Sequence, residues 1–357
     1  MTSAVSARAH MDFELPPSLE AVAPPEERGR GRDDVRLMEA RRSSGLIAHH
    51  QFQALPDLLR PGDLLVVNTS ATISAAIRCT VSGEPALLHL SGGGTGGQIV
   101  ELRHPDPSGR GNTPWLDAEC GTVVKLPDGA TAQLLEPAGP RFGAGGGVRL
   151  WSARLALPTF IDAYLAVHGR PISYGYVSRE QPLSAYQTIF AMEPGSAEMP
   201  SAARPFTPAL VTRLVALGIG VVPVVLHCGV SSPETGEPPQ REWFRVPAAT
   251  AASINASRRA GGWIVAVGTT SVRAVESATG PDGRTAEAQG WTDLVVGPGR
   301  ELRAVDGMIT GWHEPRSSHL AMLEAVGGWP LLEASYRAAL DNGYLWHEFG
   351  DSHLILP

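Results

Sequence analysis

The chain has 357 residues, so two domains, or one domain carrying a large insertion, are expected, since a domain usually runs to about 100–200 residues. Hydrophobic residues at 43% suffice for a core, and forty Gly with thirty Pro point to a loop-rich protein rather than a long helical bundle. A formal charge of -7 argues against nucleic-acid binding through global electrostatics, while leaving room for a local basic patch. Cys79, Cys120 and Cys228 lie far apart with no CxxC pair, against a disulfide framework or a Cys-rich zinc site. Met1 to His10 lacks the apolar core of a secretory signal, and no stretch approaches the ~18–20 apolar residues of a membrane span. The expectation is a soluble cytoplasmic protein with no membrane or metal partner.

Residues 1–12 read as a disordered leader. Val35 to Glu39 and Gly45 to Ala48 are predicted strands, and Phe52 to Leu59 a short helix broken at Pro56. Leu64-Leu65-Val66-Val67 is a buried strand by its unbroken apolar run. From residue 71 to 158 the pattern changes to short alternating runs around Leu88, Val100, Val124, Leu134 and Leu150, separated by Gly- and Pro-rich turns. That pattern predicts an inserted β-module, an all-β sandwich or barrel. After Pro158, helices and strands alternate. Pro208 to Leu217 is a helix with Thr207 as N-cap, and Gly220 to Leu226 a strand whose Pro223 suggests an edge or a bulge. Ala248 to Ala260 is a helix, Trp263 to Val267 a strand and Val272 to Thr279 a helix. Ser317 to Gly327 and Leu331 to Asn342 complete the set. The fold class predicted is a layered α/β domain built from residues 13–70 and 159–357, with the β-module of residues 71–158 inserted between.

The most informative stretch is the apolar strand ending at Gly268-Thr269-Thr270-Ser271 before a helix that carries Arg273 and Glu276. Free N–H groups at a helix start with hydroxyls beside them suit an anion, and simple N-capping explains the same residues. A second cluster runs from Val305-Asp306-Gly307 through His313-Glu314-Pro315-Arg316-Ser317; His313 could move a proton or be a structural histidine. Tyr186-Gln187-Thr188 with Glu193-Pro194-Gly195-Ser196 suits a loop that lets a ligand near the backbone, or an ordinary turn. His227 ends a strand where open α/β sheets tend to bind ligands, though a lone histidine there is more often structural, and Asp351 sits in a terminal turn as contact or cap. The other histidines form no HxxxH or HxH pattern, so no metal site is expected.

Together with Gly290-Trp291-Thr292-Asp293 and Phe349-Gly350-Asp351-Ser352, these strings resemble the S-adenosylmethionine:tRNA ribosyltransferase-isomerases of queuosine biosynthesis, over nearly the whole chain. The resemblance implies an α/β domain with an inserted β-barrel. It also implies a reaction that moves the ribosyl part of S-adenosylmethionine onto the aminomethyl group of a 7-deazaguanine in tRNA. The ribose is isomerised to an epoxycyclopentanediol, and adenine and methionine leave. S-adenosylmethionine would be a substrate, with no prosthetic group. By analogy His227 and His313 are candidates for proton transfer, with Glu276 as a further catalytic candidate. Gly268, Thr269, Thr270, Ser271, Arg273, Tyr186, Gln187, Asp306 and Asp351 are candidates for substrate binding.

The chain departs from the family inside its motifs. Asn68-Thr69-Ser70-Ala71-Thr72 stands where Asn-Asp-Thr-Arg-Val is usual, and Pro205 stands where a histidine is usual. His227-Cys228-Gly229-Val230-Ser231 keeps only part of its motif. Two alternatives therefore stand beside the family reaction. One is a paralogue using S-adenosylmethionine with a small acceptor, or cleaving it alone; the other is a non-catalytic module that binds a nucleoside or tRNA.

Overall fold

The computed structural model describes residues 11–94, 97–106, 112–142, 146–231, 237 and 239–357. Its organising feature is the strand Leu64–Asn68, in which every residue is buried. Strands Gly220–Leu226 and Ile264–Val267 flank it in parallel, and Gly307–Gly311 continues the parallel set beyond Ile264–Val267. Side chains alternate across this sheet. Leu64, Val66, Ile264, Ala266 and Met308 face one core, while Leu65, Val67, Val265, Val267 and Ile309 face another. Both faces are covered, which is why these strands read as unbroken apolar runs. Among the described residues the full sheet has nine strands. Glu242–Val246 and Ala288–Thr292 extend one side, and Ser352–Leu356, Arg36–Arg41 and Ile47–Gln51 the other.

Helices cover the two faces. Ala248–Arg259, Thr269–Ser277, Ser318–Gly327 and Trp329–Asp341 bury Ile254, Val272, Leu323 and Tyr336 on one side, and Pro208–Ala216 buries Leu210 and Leu214 on the other. Thr207 caps the last of these, its hydroxyl accepting the Leu210 N–H at 3.2 Å. The second body is a closed β-barrel. Its strands run Leu150–Ala156, Thr131–Pro137, Val123–Lys125, Ala76–Val81, Glu84–Gly94 and Gly97–Pro105, and the last pairs back onto the first. Its interior is packed by Ile77, Leu88, Val100, Leu102, Leu134 and Leu150. The fold is thus layered α/β with a small β-barrel, as expected from the sequence.

The structure differs from expectation at several points. The leader reading for residues 1–10 lies outside the described residues. Met11 is packed in the sheet core and its carbonyl accepts the Arg316 N–H at 3.0 Å, so the chain is anchored before residue 13. Pro56 starts the helix Leu55–Leu58 instead of breaking one, because its missing N–H costs nothing in a first turn. Pro223 lies inside a central strand and is tolerated, because pairing to Glu242–Val246 covers Val225 and Leu226 alone. The helix after Gly268 starts at Thr269, three residues earlier than predicted. Glu242–Val246, Ala288–Thr292 and the C-terminal Ser352–Leu356 are strands that polar or glycine-containing sequence concealed.

Candidate active site

The parallel strands end together, and their carboxyl ends open into a cleft of about 300 Å³. Asn68, fully buried at the end of Leu64–Asn68, braces this edge. Its amide donates to the Leu226 carbonyl at 2.8 Å and to the Thr270 hydroxyl at 3.2 Å, and its oxygen accepts the Leu226 and Ser70 N–H groups. One side chain therefore joins two strands to the start of a helix. That helix begins at Gly268, whose φ of 88° and ψ of 156° form a conformation open almost only to glycine. No side chain caps the helix. The first-turn N–H groups at Thr269 and Thr270, both lining the cleft, are thus left for a ligand.

The opposite wall carries histidine, tyrosine and glutamate. The His313 ring lies parallel to that of His319, centroids 4.5 Å apart, and its Nε2 is 2.8 Å from the Thr310 hydroxyl. Burial, then the neighbouring His319, His347 and His353, hold His313 well below its ordinary value, and burial takes His319 down to about 4. Both are neutral at pH 7. His347 stacks on Tyr176 at 3.8 Å, the Tyr176 hydroxyl donates to Glu348 at 2.7 Å, and Tyr174 donates to Glu198. Burial pushes Glu198 up and lifts Glu348 to about 7. Trp312, Val296 and Met322 add apolar surface.

The residues singled out from the sequence divide by place. Gly268, Thr269, Thr270, Arg273, Tyr186 and His313 line the cleft. Arg273 is largely committed: it pairs with Glu242 and donates to the Gln240, Thr292 and Leu294 carbonyls, tying the last two strands on that side of the sheet to the helix. Ser271 is wholly buried and donates to the Val267 carbonyl at 2.8 Å. Glu276 lies outside the cleft lining, and its carboxylate accepts the N–H groups of Arg303, Ala304 and Val305 at 2.9–3.1 Å. Asp306 precedes strand Gly307–Gly311 and accepts the Ile264 N–H, at the sheet edge opposite the cleft. Asp351 binds the Arg36 guanidinium and the Arg36 and Leu345 N–H groups. Gln187 pairs through its amide with the backbone of Thr72. His227 stacks on Trp243 and contacts the Ser70 hydroxyl at 2.7 Å, beside the cleft instead of in it. Among the described residues, no group of three or more His, Cys, Asp or Glu side chains is placed to hold a metal ion.

The same architecture recurs in known proteins. A family profile described as "Queuosine biosynthesis protein" matches residues 8–355. The chain belongs to this family. The S-adenosylmethionine:tRNA ribosyltransferase-isomerase of Symbiobacterium thermophilum is 35% identical over 357 residues, covering 97% of this chain and 98% of that protein. The one from Anaeromyxobacter dehalogenans strain 2CP-C is 37% identical over 366 residues at the same coverage. The crystal structure of an S-adenosylmethionine tRNA ribosyltransferase from Thermotoga maritima is similar at 29% identity and a TM-score of 0.54, over 97% of this chain and 99% of that one. For a queuosine biosynthesis protein the sequence reading missed Glu198, His319, His347 and Glu348. His319 lay within reach, six residues beyond His313. The others carry no spacing signal and meet only through tertiary packing.

Proposed function

We propose that this protein transfers the ribosyl moiety of S-adenosylmethionine to the aminomethyl group of a 7-aminomethyl-7-deazaguanine in tRNA. It isomerises the sugar to an epoxycyclopentanediol and releases adenine and methionine. The observation that carries this reading is the match to relatives of that name over 97% of the chain and 98% of the relative. The cleft agrees with the chemistry. Its carboxyl and aromatic lining suits a sulfonium cation, and the uncapped helix start suits the methionyl carboxylate. S-adenosylmethionine enters as a substrate.

In this reading the Thr269 and Thr270 N–H groups hold that carboxylate, with the Thr270 hydroxyl oriented by Asn68. The sulfonium acidifies the neighbouring C5′ protons. Neutral His313, steadied by Thr310 and His319, is the base placed to remove one. Ser271, Glu276, Asp306, Asp351 and Gln187 hold the walls through the bonds described above and take no part in proton transfer. No helix among the described residues is long and apolar enough to cross a membrane. Because the relatives are named for a reaction on tRNA, we assign the protein to the cytoplasm.

The test is product analysis with S-adenosylmethionine, with and without tRNA carrying the aminomethyl base. Adenine and methionine formed only with that RNA are expected, with a rate that falls as salt rises. Release at the same rate without RNA would replace this reading with one in which S-adenosylmethionine is cleaved alone.

A further inference from the structure

Among the described residues the cleft is lined by the carboxyl groups of Glu198, Glu242, Glu314 and Glu348 against the one guanidinium of Arg273, which meets Glu242. Of Glu314 and Glu348, Glu348 is the one that a tyrosine holds in place. Of the other carboxyl groups in the lining, Glu242 is paired with Arg273 and accepts the Gly229 N–H at 2.8 Å. Glu198 accepts the Tyr174 hydroxyl together with the N–H and hydroxyl of Ser231. Glu348 differs. The Tyr176 hydroxyl reaches its Oε2, and its own backbone N–H is the other donor beside it. The guanidinium whose charge acts on it, that of Arg204, is spent on Glu26 and the Ala185 carbonyl. Glu348 therefore faces the cleft with acceptor capacity to spare and no cation in contact.

The backbone is arranged to put it there. His347 has φ of 71°, a left-handed conformation that non-glycine residues seldom adopt. The consecutive residues His347 and Glu348 thereby both line the cleft, one stacked on the Tyr176 ring and the other bonded to its hydroxyl. Strain of this kind persists where surrounding structure enforces it, and here the enforcement delivers a carboxyl to a cavity.

We propose that Glu348 binds the primary amine of the acceptor as an ammonium ion and takes its proton, with Tyr176 and His347 as positioning residues. The proposal rests on the reading that the acceptor carries an aminomethyl group. An ammonium has no lone pair and cannot attack. One N–H bond breaks, its electron pair stays on nitrogen, and the proton passes to a Glu348 oxygen to leave a neutral carboxylic acid. The amine is then neutral, with a free electron pair available for attack. Glu348 is suited to this exchange near neutral pH: burial raises it to about 7, the Tyr176 hydroxyl and its own N–H lower it, the charge of Glu198 raises it and that of Arg204 lowers it.

Two measurements on the full-length protein test this. In the first, Glu348→Gln is compared with wild type in turnover of the aminomethyl tRNA between pH 5.5 and 9. We expect wild-type turnover to rise with pH through about 7. In Glu348→Gln we expect a fall on the order of 100-fold and loss of that rise. Tyr176→Phe keeps the ring against His347 and should move the rise to higher pH. In the second, the free bases 7-aminomethyl-7-deazaguanine and 7-methyl-7-deazaguanine are titrated by calorimetry. Glu348→Gln should weaken the first about tenfold or more and leave the second unchanged, with S-adenosylmethionine affinity intact. This arm stands even when wild type makes no RNA-dependent product, the result that would sink the functional reading alone. Equal affinity of both proteins for the aminomethyl base, or Glu348→Gln turnover near wild type with the rise kept, overturns the assignment.

Discussion

The imidazole of His313 lies on that of His319 with ring centroids 4.5 Å apart and planes 3° apart, and its free edge meets the Thr310 hydroxyl at 2.8 Å. A ring held on one face and at one nitrogen has little rotational freedom, which is what a proton acceptor in a closed site requires. His313→Asn should lower kcat by about 10²–10³-fold while S-adenosylmethionine binds as before. His319→Phe keeps a flat ring against His313 and should retain most of the rate. Single-turnover kinetics paired with calorimetry separates the two effects. An unchanged kcat in His313→Asn removes that residue from the chemistry.

Burial of neutral histidines makes stability depend on pH in a direction that can be worked out. His89 and His353 are held down to about 3, and His319 and His347 to about 4, each chiefly by burial. In the unfolded chain each titrates near 6.5. Between these values the unfolded state binds more protons, so folding stability is complete above about 6.5 and is lost as pH falls toward 4. Each such residue adds a slope of about 1.4 kcal/mol per pH unit in that window. His353 offers the cleanest test. It is fully buried against Trp312, and both its ring nitrogens lack partners. His353→Phe should be at least as stable as wild type at pH 7 and visibly less acid-sensitive in thermal melts from pH 4 to 7.

Glu276 presents the opposite case, a buried carboxylate that serves the backbone. It accepts the N–H groups of Arg303, Ala304 and Val305, the turn that leads into strand Gly307–Gly311. Glu276→Ala strands those donors and should cost about 3 kcal/mol or more in denaturant unfolding. Glu276→Gln keeps an oxygen where Ala304 and Val305 point and should cost less. Below its melting temperature, the Gln variant should turn over at a rate close to wild type. A large loss of kcat with intact folding would return Glu276 to the chemistry.

The layers were legible because Leu64–Asn68 and Ile264–Val267 are unbroken apolar runs that end at a polar or glycine residue, and both faces of the sheet needed covering. An inserted β-module was legible from alternation around Leu88, Val100 and Leu134, but alternation reads the same in a sandwich and a barrel, and the family resemblance alone implied the closed form. Within the site, Gly268 stood out as a glycine between an apolar strand and a helix, although capping alone explains that pattern equally well and only the fold puts it on the cleft. Asp306 and Asp351 illustrate the limit. An acid in a turn beside a motif looks alike whether it points to the cleft or, like Asp306, secures the far edge of the sheet. Glu348 illustrates the converse, since its role depends on Tyr176, 172 residues away in sequence.

The turn at Gly268 allows the sharpest separation of backbone from contact. A Cβ there would lie 3.4 Å from Ala202 Cβ and 3.6 Å from the Thr270 hydroxyl, so space alone nearly admits alanine. The dihedrals do not: φ of 88° with ψ of 156° strains any L side chain by about 1–3 kcal/mol. Relief comes by rotating the peptide that joins Gly268 to Thr269, which turns the Thr269 N–H away from the cleft. Gly268→Ala should therefore lower stability by that amount and weaken S-adenosylmethionine binding more than it slows the bound complex. Calorimetry against single-turnover rates at saturating substrate reads the split. Adding Ala202→Gly removes the one close carbon and should restore neither quantity, because the strain resides in the backbone. Full recovery in the double variant would show that the contact with Ala202, and not the peptide orientation, is what alanine disturbs.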